Sequence, residues 1–534
     1  MTLFSQIVDS DTRKNLFIIL CCNIIFFIPS LFLFKQFLGD DYVIFSLIQS
    51  NPYSPVVTSS DTPFFLYTRP LSYFFLWVLN KVCGPDALLM KLIIFVLHIF
   101  FSFLLYSFLV KIVSFFDLKI KNLFLVLATM FVSLHPDALL WVDWISNSNE
   151  LLVVLFYLGG MYCFLTYIEP GGKKDILLFM SLMLFILSTF AKQQSIHFPI
   201  LLYFVTELIF RKYINSEKRR KIMIVATIGI LICMAEVAIN FFVNVDEKGI
   251  LKWSDMLKKP FSMIGTIIYI VIPMYGNSIY QYFITNKIIA AVILLVIISM
   301  IFVLRKMIDW RKTFLICAIA LIIFFPRLIG PGGERLNSIQ VLWFSIFLLF
   351  LHSMIIRKRV FQIAVGLLVC LNIFASIQTL ARQRNDEKYT TSMNKKLLLI
   401  QEETSRPIYI LFSTIYLAWP QQFNYLQTST FHSPKNFYFS GIIAKPIVQD
   451  FGLSSAVAIK SLGDTLIVSS TDIKTTNLDF SRFNNNSKIV YTHFSELRAY
   501  DTLGFTIPDS ISKINPLYTY PQGTDWIIVL LDSL

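Results

Sequence analysis

Charged residues are scarce in this chain, and their scarcity excludes an ordinary soluble fold. Of 534 residues only 15% are charged, whereas 56% are hydrophobic and the mean hydropathy is +0.67. Soluble domains carry about 25% charged and about 45–50% apolar residues. Apolar runs of roughly 20 residues, long enough to cross ~30 Å of hydrocarbon, recur between Leu16 and Leu380. The composition therefore predicts a polytopic membrane protein.

Cysteines are few, and nucleotide-binding motifs are missing. Six of the seven cysteines lie inside apolar runs, Cys83 lies in a polar loop, and residues 381–534 have none, so no disulfide framework is expected. The glycine-rich stretch GPGGERL matches neither G-x-x-x-x-G-K-[ST] nor a strand followed by G-x-G-x-x-G. No cofactor is therefore implied with certainty, and a divalent cation stays an open alternative. No repeat at a fixed period is evident.

The formal charge of the chain is +13, and the positions of its basic residues are more informative than this total. Its basic clusters lie in short loops between apolar runs, which is the positive-inside pattern and needs no nucleic-acid partner. These loops are expected in the cytoplasm. The clusters are Lys111/Lys119/Lys121, Lys173/Lys174, Arg211/Lys212 with 218–221, Arg305/Lys306/Arg311/Lys312, and 357–359.

The apolar runs predict about eleven transmembrane helices, with a cytoplasmic N-terminus and an outer C-terminal part. The first run is too long for the apolar core of a signal peptide and is expected to be retained. The predicted fold is a polytopic α-helical membrane domain, 1–380, followed by an extracytoplasmic α/β or mainly-β domain, 381–534. The helices are expected near 15–37, 87–110, 122–135, 150–168, 176–190, 195–211, 221–243, 287–304, 313–326, 337–356 and 360–380.

One apolar segment does not fit this count. Residues 261–276, FSMIGTIIYIVIPMYG, are short for a crossing and contain Gly265, Pro273 and Gly276. If they crossed, the basic loop at 305–312 would face outside. They are therefore expected to be re-entrant or to lie on the outer surface, which is tolerated where backbone is buried in protein or lines a cavity.

Two adjacent carboxylates, Asp40 and Asp41, follow the first apolar run at the start of a long outer loop, 38–86. Acidic residues can simply end a membrane helix, but a carboxylate there is useful if it lines a cavity. Two carboxylates this close tend to differ in proton affinity, which suits one of them to accept a proton from a hydroxyl. The same loop carries Arg69 before Pro70, a cation suited to bidentate phosphate recognition, although snorkelling would also explain it.

The second outer loop crowds acids, amides, tryptophans and a histidine into sixteen residues. Aromatic faces beside hydrogen-bonding side chains are what a sugar ring needs, whereas tryptophans alone could be interfacial anchors. The spacing has no metal-ligand rhythm, so no metal site is predicted. His98, alone on an apolar helix, is expected to be a packed, hydrogen-bonded histidine. The candidate substrate-binding residues are His135, Asp137, Trp141, Asp143, Trp144, Asn147 and Glu150.

Two later outer segments carry cations against the positive-inside trend. Lys192 lies in FAKQQSIHFP, and Arg327 and Arg335 flank the glycine-rich FFPRLIGPGGERLNS. Glycines allow backbone to approach a ligand closely, and such cations could hold a phosphate. Glu334, beside Arg335, is a further candidate for substrate binding. Alternatively, Glu334 and Arg335 form an ion pair in a flexible turn.

Together these features resemble the GT-C superfamily of membrane glycosyltransferases, which use polyprenyl-phosphate sugars. The stretch HPDALLWVDWISNSNELL resembles a segment of the O-mannosyltransferases that carry tetratricopeptide repeats, as do LSTFAKQQSIHFP and GGERL. The chain departs from that pattern at Leu140, at Asn147–Ser148 and at Gln193, and it lacks the repeats. The resemblance implies that Asp40 is the base, that Asp41 orients it or the acceptor, and that Arg69, Lys192, Arg327 and Arg335 are candidates to stabilise the leaving phosphate.

The resemblance thus implies an inverting transfer of sugar from a polyprenyl-phosphate donor to a hydroxyl on a glycan, lipid or protein, at the outer face of a bacterial inner membrane. Two rival functions remain at this point. A transporter or flippase also needs polar groups near a cavity, but broken helices at matching positions in two halves are not evident. An O-antigen polymerase or ligase also keeps arginines in outer loops, but its large loop usually comes late in the chain.

Overall fold

The computed structural model describes the helical part of the chain over 10–33, 41, 69–84, 86–169, 174–192, 195, 197–207, 214–243, 270, 338–355, 358–378 and 380, together with eight strands after residue 407. The chain divides into two compact units. The first comprises Met1–Lys35, Ser54–Thr58 and Thr62–Ala381, and the second comprises Gln36–Tyr53, Ser59–Asp61 and Arg382–Leu534.

Apolar helices make up the described part of the first unit. In chain order they are α1 (Ser10–Leu33), α2 (Pro70–Cys83), α3 (Ala87–Phe115), α4 (Asn122–Ser133), α5 (Pro136–Asp143), a 3-10 turn (Ile145–Asn147), α6 (Ser148–Ile168), α7 (Asp175–Ala191), α8 (Phe198–Val205), α9 (Ser216–Val243), α10 (Ser338–Met354) and α11 (Lys358–Gln378).

Four described helical stretches are long and apolar enough to cross a membrane: Ser10–Phe32, Ala87–Phe115, Ile145–Ile168 and Lys358–Gln378. A fifth arises if α4 and α5, which meet at a bend of 54°, count as one span. Each coincides with a predicted crossing. The predicted crossings at 287–304 and 313–326 lie outside the described residues.

The bend between α4 and α5 follows from the His-Pro dipeptide. Pro136 lacks the N–H that a continuing helix requires and occupies the first position of α5. His135 is the N-cap, and its Nδ1 accepts a hydrogen bond from the Asp137 N–H at 3.2 Å. The sequence predicted one helix over 122–135; the structure ends it at Ser133 and starts a second, tilted helix that carries the acidic and aromatic residues of the loop.

Glycines allow helices to pack closely at two places. A Cβ on Gly160 of α6 would lie 3.2 Å from the Ser181 carbonyl oxygen of α7, so these helices approach closely there. A Cβ on Gly229 of α9 would lie 2.8 Å from Pro199 Cγ of α8. Small residues at such crossings are the usual means of bringing apolar helices together in a membrane.

Polar contacts lie at opposite ends of this helix bundle. At one end, Lys111 pairs with Glu169 at 2.7 Å, and Lys221 pairs with Asp175 at 2.8 Å. We call this the lysine end, defined by Lys111, Lys218 and Lys221. The opposite ends of α3, α5 and α6 carry Lys91, Asp143 and Glu150, and we call this the carboxylate end.

The second unit contains eight strands: β1 (Ile408–Phe412), β2 (Phe437–Phe439), β3 (Val457–Leu462), β4 (Thr465–Ser470), β5 (Ile473–Asp479), β6 (Lys488–Thr492), β7 (Leu497–Tyr500) and β8 (Ile527–Leu531).

These strands form two sheets. The larger has the order β2-β1-β8-β6-β7, with β2, β1, β8 and β6 parallel to their neighbours and β7 antiparallel to β6. The smaller is the antiparallel meander β3-β4-β5. Parallel neighbours cannot be joined by a two-residue hairpin, so the connections between them are longer crossovers.

Candidate functional site

A buried ion pair joins α6 to the end of α7 at the carboxylate end. Glu150, in the first turn of α6, is fully buried and pairs through Oε1 with the ammonium of Lys192, which is 6% exposed. The second oxygen, Oε2, accepts a hydrogen bond of 2.5 Å from Ser338 Oγ, the first residue of α10. Three helices therefore meet at one carboxylate. Sequence analysis assigned Lys192 to phosphate and Glu150 to substrate, and the structure places the two in contact.

A second polar cluster lies deeper on the same elements. The Tyr157 hydroxyl of α6 accepts a hydrogen bond from Trp343 Nε1 of α10 at 3.0 Å and lies 3.2 Å from His197 Nε2. All three side chains are nearly inaccessible to solvent. Lys192 and His197 bracket the connection between α7 and α8. That connection is thus fixed at both ends by side chains of α6 and α10.

Asp143, the last residue of α5, is the centre of a third buried cluster. Its Oδ1 accepts a hydrogen bond of 3.2 Å from Ser30 Oγ near the end of α1. The fully buried Lys91 of α3 attracts the same carboxylate electrostatically. Within the described part of the chain, Oδ2 has no hydrogen-bond partner. A buried carboxylate oxygen without a partner is costly and marks a place where water, an ion or a ligand hydroxyl belongs.

His135 and Asp137 lie at the bend between α4 and α5, and both are buried. The carboxylate Oδ2 of Asp137 lies 3.9 Å from His135 Nδ1. The backbone of Ile270 hydrogen-bonds the same histidine, and Ile270 is helical and 2% exposed. Ile270 belongs to the segment predicted as re-entrant or surface-bound. This contact ties that segment to the predicted site, and the other residues of 261–276 lie outside the described ones.

The two tryptophans of the loop have different surroundings. Trp141 is 1% exposed, and its ring packs edge-on against Phe101, with centroids 5.7 Å apart, and against His98 at 6.2 Å. Trp141 therefore belongs to the core, where α5 packs against α3. Trp144, 9% exposed, follows α5 at the point where the chain turns into the 3-10 helix. Asn147 is half-buried as the last residue of that turn.

Two of the predicted site residues in the first outer loop, Arg69 and Asp41, lie in the described part of the chain. Arg69 is half-buried as the N-cap of α2, with Pro70 in the first helical turn. Asp41 is helical and fully buried. The remaining predicted site residues, Asp40, Arg327, Glu334 and Arg335, lie outside the described part of the chain.

Several buried polar atoms near the carboxylate end have no hydrogen-bond partner among the described residues. They are Tyr73 Oη and Trp77 Nε1 on α2, Ser148 Oγ and Asn149 Oδ1 on α6, and Asp143 Oδ2. Burial raises the pKa of Tyr73 to about 12, so its hydroxyl keeps its proton and can donate. Donors and acceptors of this kind suit a ligand rich in hydroxyl groups.

Some of these residues were missed from sequence. Lys91 had a signal, because a lysine four residues into an apolar helix is costly and usually functional. Ser30, Ser338, Tyr157 and Trp343 carry no such signal. His98 was predicted to be a packed, hydrogen-bonded histidine, and this is confirmed: it is fully buried, and Nε2 lies 3.1 Å from both Asn23 Oδ1 and the Ser133 carbonyl oxygen.

The charges of the described site do not favour an anion by themselves. Within the described chain, the first unit's carboxylate end holds two buried lysines, Lys91 and Lys192, and three buried carboxylates, Asp137, Asp143 and Glu150. Binding of a phosphate group at this end therefore needs further cations. Besides Lys192, Arg69 is the predicted phosphate-binding cation that lies in the described part of the chain. In the same described part, no group of three His, Cys, Asp or Glu side chains is arranged to hold a metal ion.

The comparisons with known proteins add no relative. No protein-family model, no curated protein and no solved structure matches the chain.

Proposed function

We propose that the chain is an inverting glycosyltransferase of a membrane, which moves a sugar from a polyprenyl-phosphate donor to an acceptor hydroxyl. The observation that carries this proposal is the set of buried acids, lysines and unpartnered hydroxyl, amide and indole groups at one end of an apolar helix bundle. Charged side chains are rare within apolar bundles and mark substrate pathways there.

The two ends of the bundle support an orientation. Lysines and arginines gather at the end that holds Lys111, Lys218 and Lys221, which suits the cytoplasm. We infer that the carboxylate end faces outside, and that the N-terminus is cytoplasmic. The full proposal has about eleven crossings and an extracytoplasmic domain at 381–534, in a bacterial inner membrane.

In the proposed reaction Asp40 accepts the proton of an acceptor hydroxyl, and the oxygen of that hydroxyl attacks the anomeric carbon of the sugar. The bond from that carbon to the phosphate oxygen breaks, and polyprenyl phosphate leaves with inversion. Asp41 orients the base or the acceptor. The donor energy is that of the lipid-linked phosphate, so the reaction needs no nucleotide at the outer face.

The leaving phosphate gains negative charge, so cations placed around it lower the barrier. Lys192, Arg69, Arg327 and Arg335 are the proposed cations. An ammonium carries three donors and can serve a carboxylate and a phosphate oxygen together. Glu150 and Ser338 would then hold Lys192 in place from α6 and α10.

The sugar is proposed to lie among the groups of the bend and of α6. Asp143 Oδ2 accepts from a sugar hydroxyl, and Trp144 offers an aromatic face. His135, Asp137 and Asn147 complete the polar lining, together with Glu334. Trp141, packed against Phe101 and His98, supports this surface from behind.

The test is release of polyprenyl phosphate by the purified protein in detergent. A panel of radiolabelled polyprenyl-phosphate sugars is supplied with cell-extract acceptors, and heat-inactivated protein is the control. Consumption of one donor, with its label transferred to an acceptor, supports the proposal and identifies the sugar. If no donor is consumed while reconstituted protein moves a lipid-linked sugar between leaflets, the transporter function replaces it.

A further inference from the structure

Polar side chains of α1 pair with polar side chains of α3 at regular intervals through the bundle. Asn15 Nδ2 donates to Tyr106 Oη at 2.7 Å, close to the lysine end. Asn23 Oδ1 lies 3.1 Å from His98 Nε2 in the middle. All four residues are buried at 9% exposure or less.

A third level lies at the carboxylate end. Ser30 of α1 donates to Asp143, and Lys91 of α3 is the cation acting on the same carboxylate. Asp143 therefore joins the two helices at this level. Ser30 and Lys91 are both fully buried.

The three levels share one antiparallel register. The residue numbers add to 121 for Asn15 with Tyr106, for Asn23 with His98 and for Ser30 with Lys91. Steps of seven and eight residues return to the same face of a helix, so each helix presents one polar stripe to the other. We call these six residues the register ladder.

Apolar layers separate the levels of the ladder. Ile19 and Phe27 of α1 and Phe101 and Leu105 of α3 are fully buried between them. Successive levels are about 10–12 Å apart along the axis at 1.5 Å per residue, which is too far for proton transfer from one level to the next. The ladder is therefore a set of isolated polar contacts, each of which must be satisfied within an apolar surrounding.

A slip of α1 along α3 would unpair every level at once. Each stranded polar group in a dry interior costs about 1–3 kcal/mol. Apolar layers alone tolerate sliding far better, and a single buried polar pair is known to specify register in coiled coils. The ladder thus selects one axial position of α1.

We propose that the register ladder positions α1 for the transfer reaction, because α1 ends at Leu33 and the chain reaches Asp40 seven residues later. This inference rests on the proposed function. The axial position of α1 sets the height of Leu33, the residue at which α1 ends, and Asn23 and His98 are positioning residues at the central level.

The test compares two kinds of variant with a matched control. Asn23→Leu/His98→Leu removes both side chains of the central level, so neither of these two is left stranded and α1 and α3 keep an apolar contact. The Ser133 carbonyl oxygen of α4 also loses the His98 ring in this variant. His98→Gln keeps a hydrogen-bonding side chain there. Thr129→Val is the control, because Thr129 is fully buried but bonds only the Leu125 carbonyl of its own helix among the described residues.

Register is measured by disulfide cross-linking in a background without native cysteines. The pair Ile19→Cys/Ser102→Cys reports the native register, and Ile19→Cys/Leu105→Cys reports a displacement of about one turn. Turnover of polyprenyl-phosphate sugar is measured on the same variants without the reporter cysteines.

In the double-leucine variant we expect the displaced pair to cross-link as readily as the native pair. Turnover falls roughly 10- to 100-fold, since small misplacements of reacting groups cost that much, while His98→Gln and the control keep the native cross-link and turnover. Native cross-linking in the double variant overturns the ladder, whatever happens to turnover. Displaced cross-linking with full turnover overturns its positioning role. If wild-type protein consumes no donor, the proposed function fails, but cross-linking still decides the register.

Discussion

Glu150 and Lys192 form a buried ion pair between the first turn of α6 and the residue that follows α7, 42 positions later in the chain. Ser338 of α10 completes it. Desolvation makes such a pair a poor source of stability, but breaking it leaves a buried charge without its partner. Its value lies in geometry, because it holds a cation at the carboxylate end where the proposed donor phosphate has to be met.

Removing one partner of this pair should destabilise the protein more than removing both. We expect Glu150→Gln or Lys192→Met alone to cost about 3–5 kcal/mol, and Glu150→Leu/Lys192→Met to recover most of that loss. Thermal unfolding of detergent-purified variants measures the difference. Lys221→Gln, which breaks an exposed pair with Asp175, is the control and should leave the transition unchanged. Equal losses in the single and double variants would contradict a coupled pair.

Tyr157 should matter more than its size suggests. Tyr157→Phe removes the acceptor of Trp343 Nε1 and the neighbour of His197 Nε2, and it leaves the buried indole N–H unsatisfied. A loss of about 1–3 kcal/mol is expected. The same unfolding assay checks it against Tyr203→Phe, at a side chain that is 41% exposed. Full stability of Tyr157→Phe would mean that the connection between α7 and α8 does not depend on this cluster.

Two glycines in helices should respond in opposite ways to alanine. Gly229→Ala places a methyl group 2.8 Å from Pro199 Cγ, so α8 and α9 must separate and stability falls by about 1–3 kcal/mol. Gly366→Ala meets nothing within 4 Å on α11 and should gain about 0.5–1 kcal/mol from helix propensity. Both changes are measured as shifts in the unfolding temperature. Destabilisation by both would indicate a general intolerance of side chains instead of the specific α8/α9 contact.

The proposed orientation predicts where single cysteines react. In a background without native cysteines, Ser216→Cys at the start of α9 should be labelled by a membrane-impermeant maleimide only after the cells are opened. Val82→Cys in the first outer loop should be labelled in intact cells. Both positions are exposed. The reverse pattern would invert the topology and place the carboxylate end in the cytoplasm.

The helices of this protein could be predicted from the sequence more fully than the site could. The apolar runs at 87–110 and 150–168 predicted α3 and α6, because uninterrupted hydrophobicity is a local property. The bend at Pro136 was also available from the His-Pro dipeptide, although the prediction continued the helix to residue 135. The assignment of Lys192 and Glu150 to ligand binding came from their residue types and from their predicted positions in outer loops.

The pairing of these residues could not be predicted. Glu150, Lys192 and Ser338 come from three helices, and no spacing rule connects them across such separations. The register ladder is an intermediate case. Its stripes on α1 and α3 are periodic and visible in the sequence, but only the antiparallel packing of the two helices shows that Asn23 meets His98.

Turnover of Asp40→Asn tests the account most directly. Purified wild-type protein, Asp40→Asn and Asp41→Asn are compared for release of polyprenyl phosphate from the donor that wild type consumes, with unfolding temperatures measured to establish equal folding. We expect Asp40→Asn to lose at least about a hundredfold, because a carboxamide cannot accept the hydroxyl proton and general-base catalysis contributes about 10²–10⁴. Asp41→Asn should lose less, since its role is orientation. Full turnover in Asp40→Asn would contradict the account and leave the acidic pair as the end of a helix.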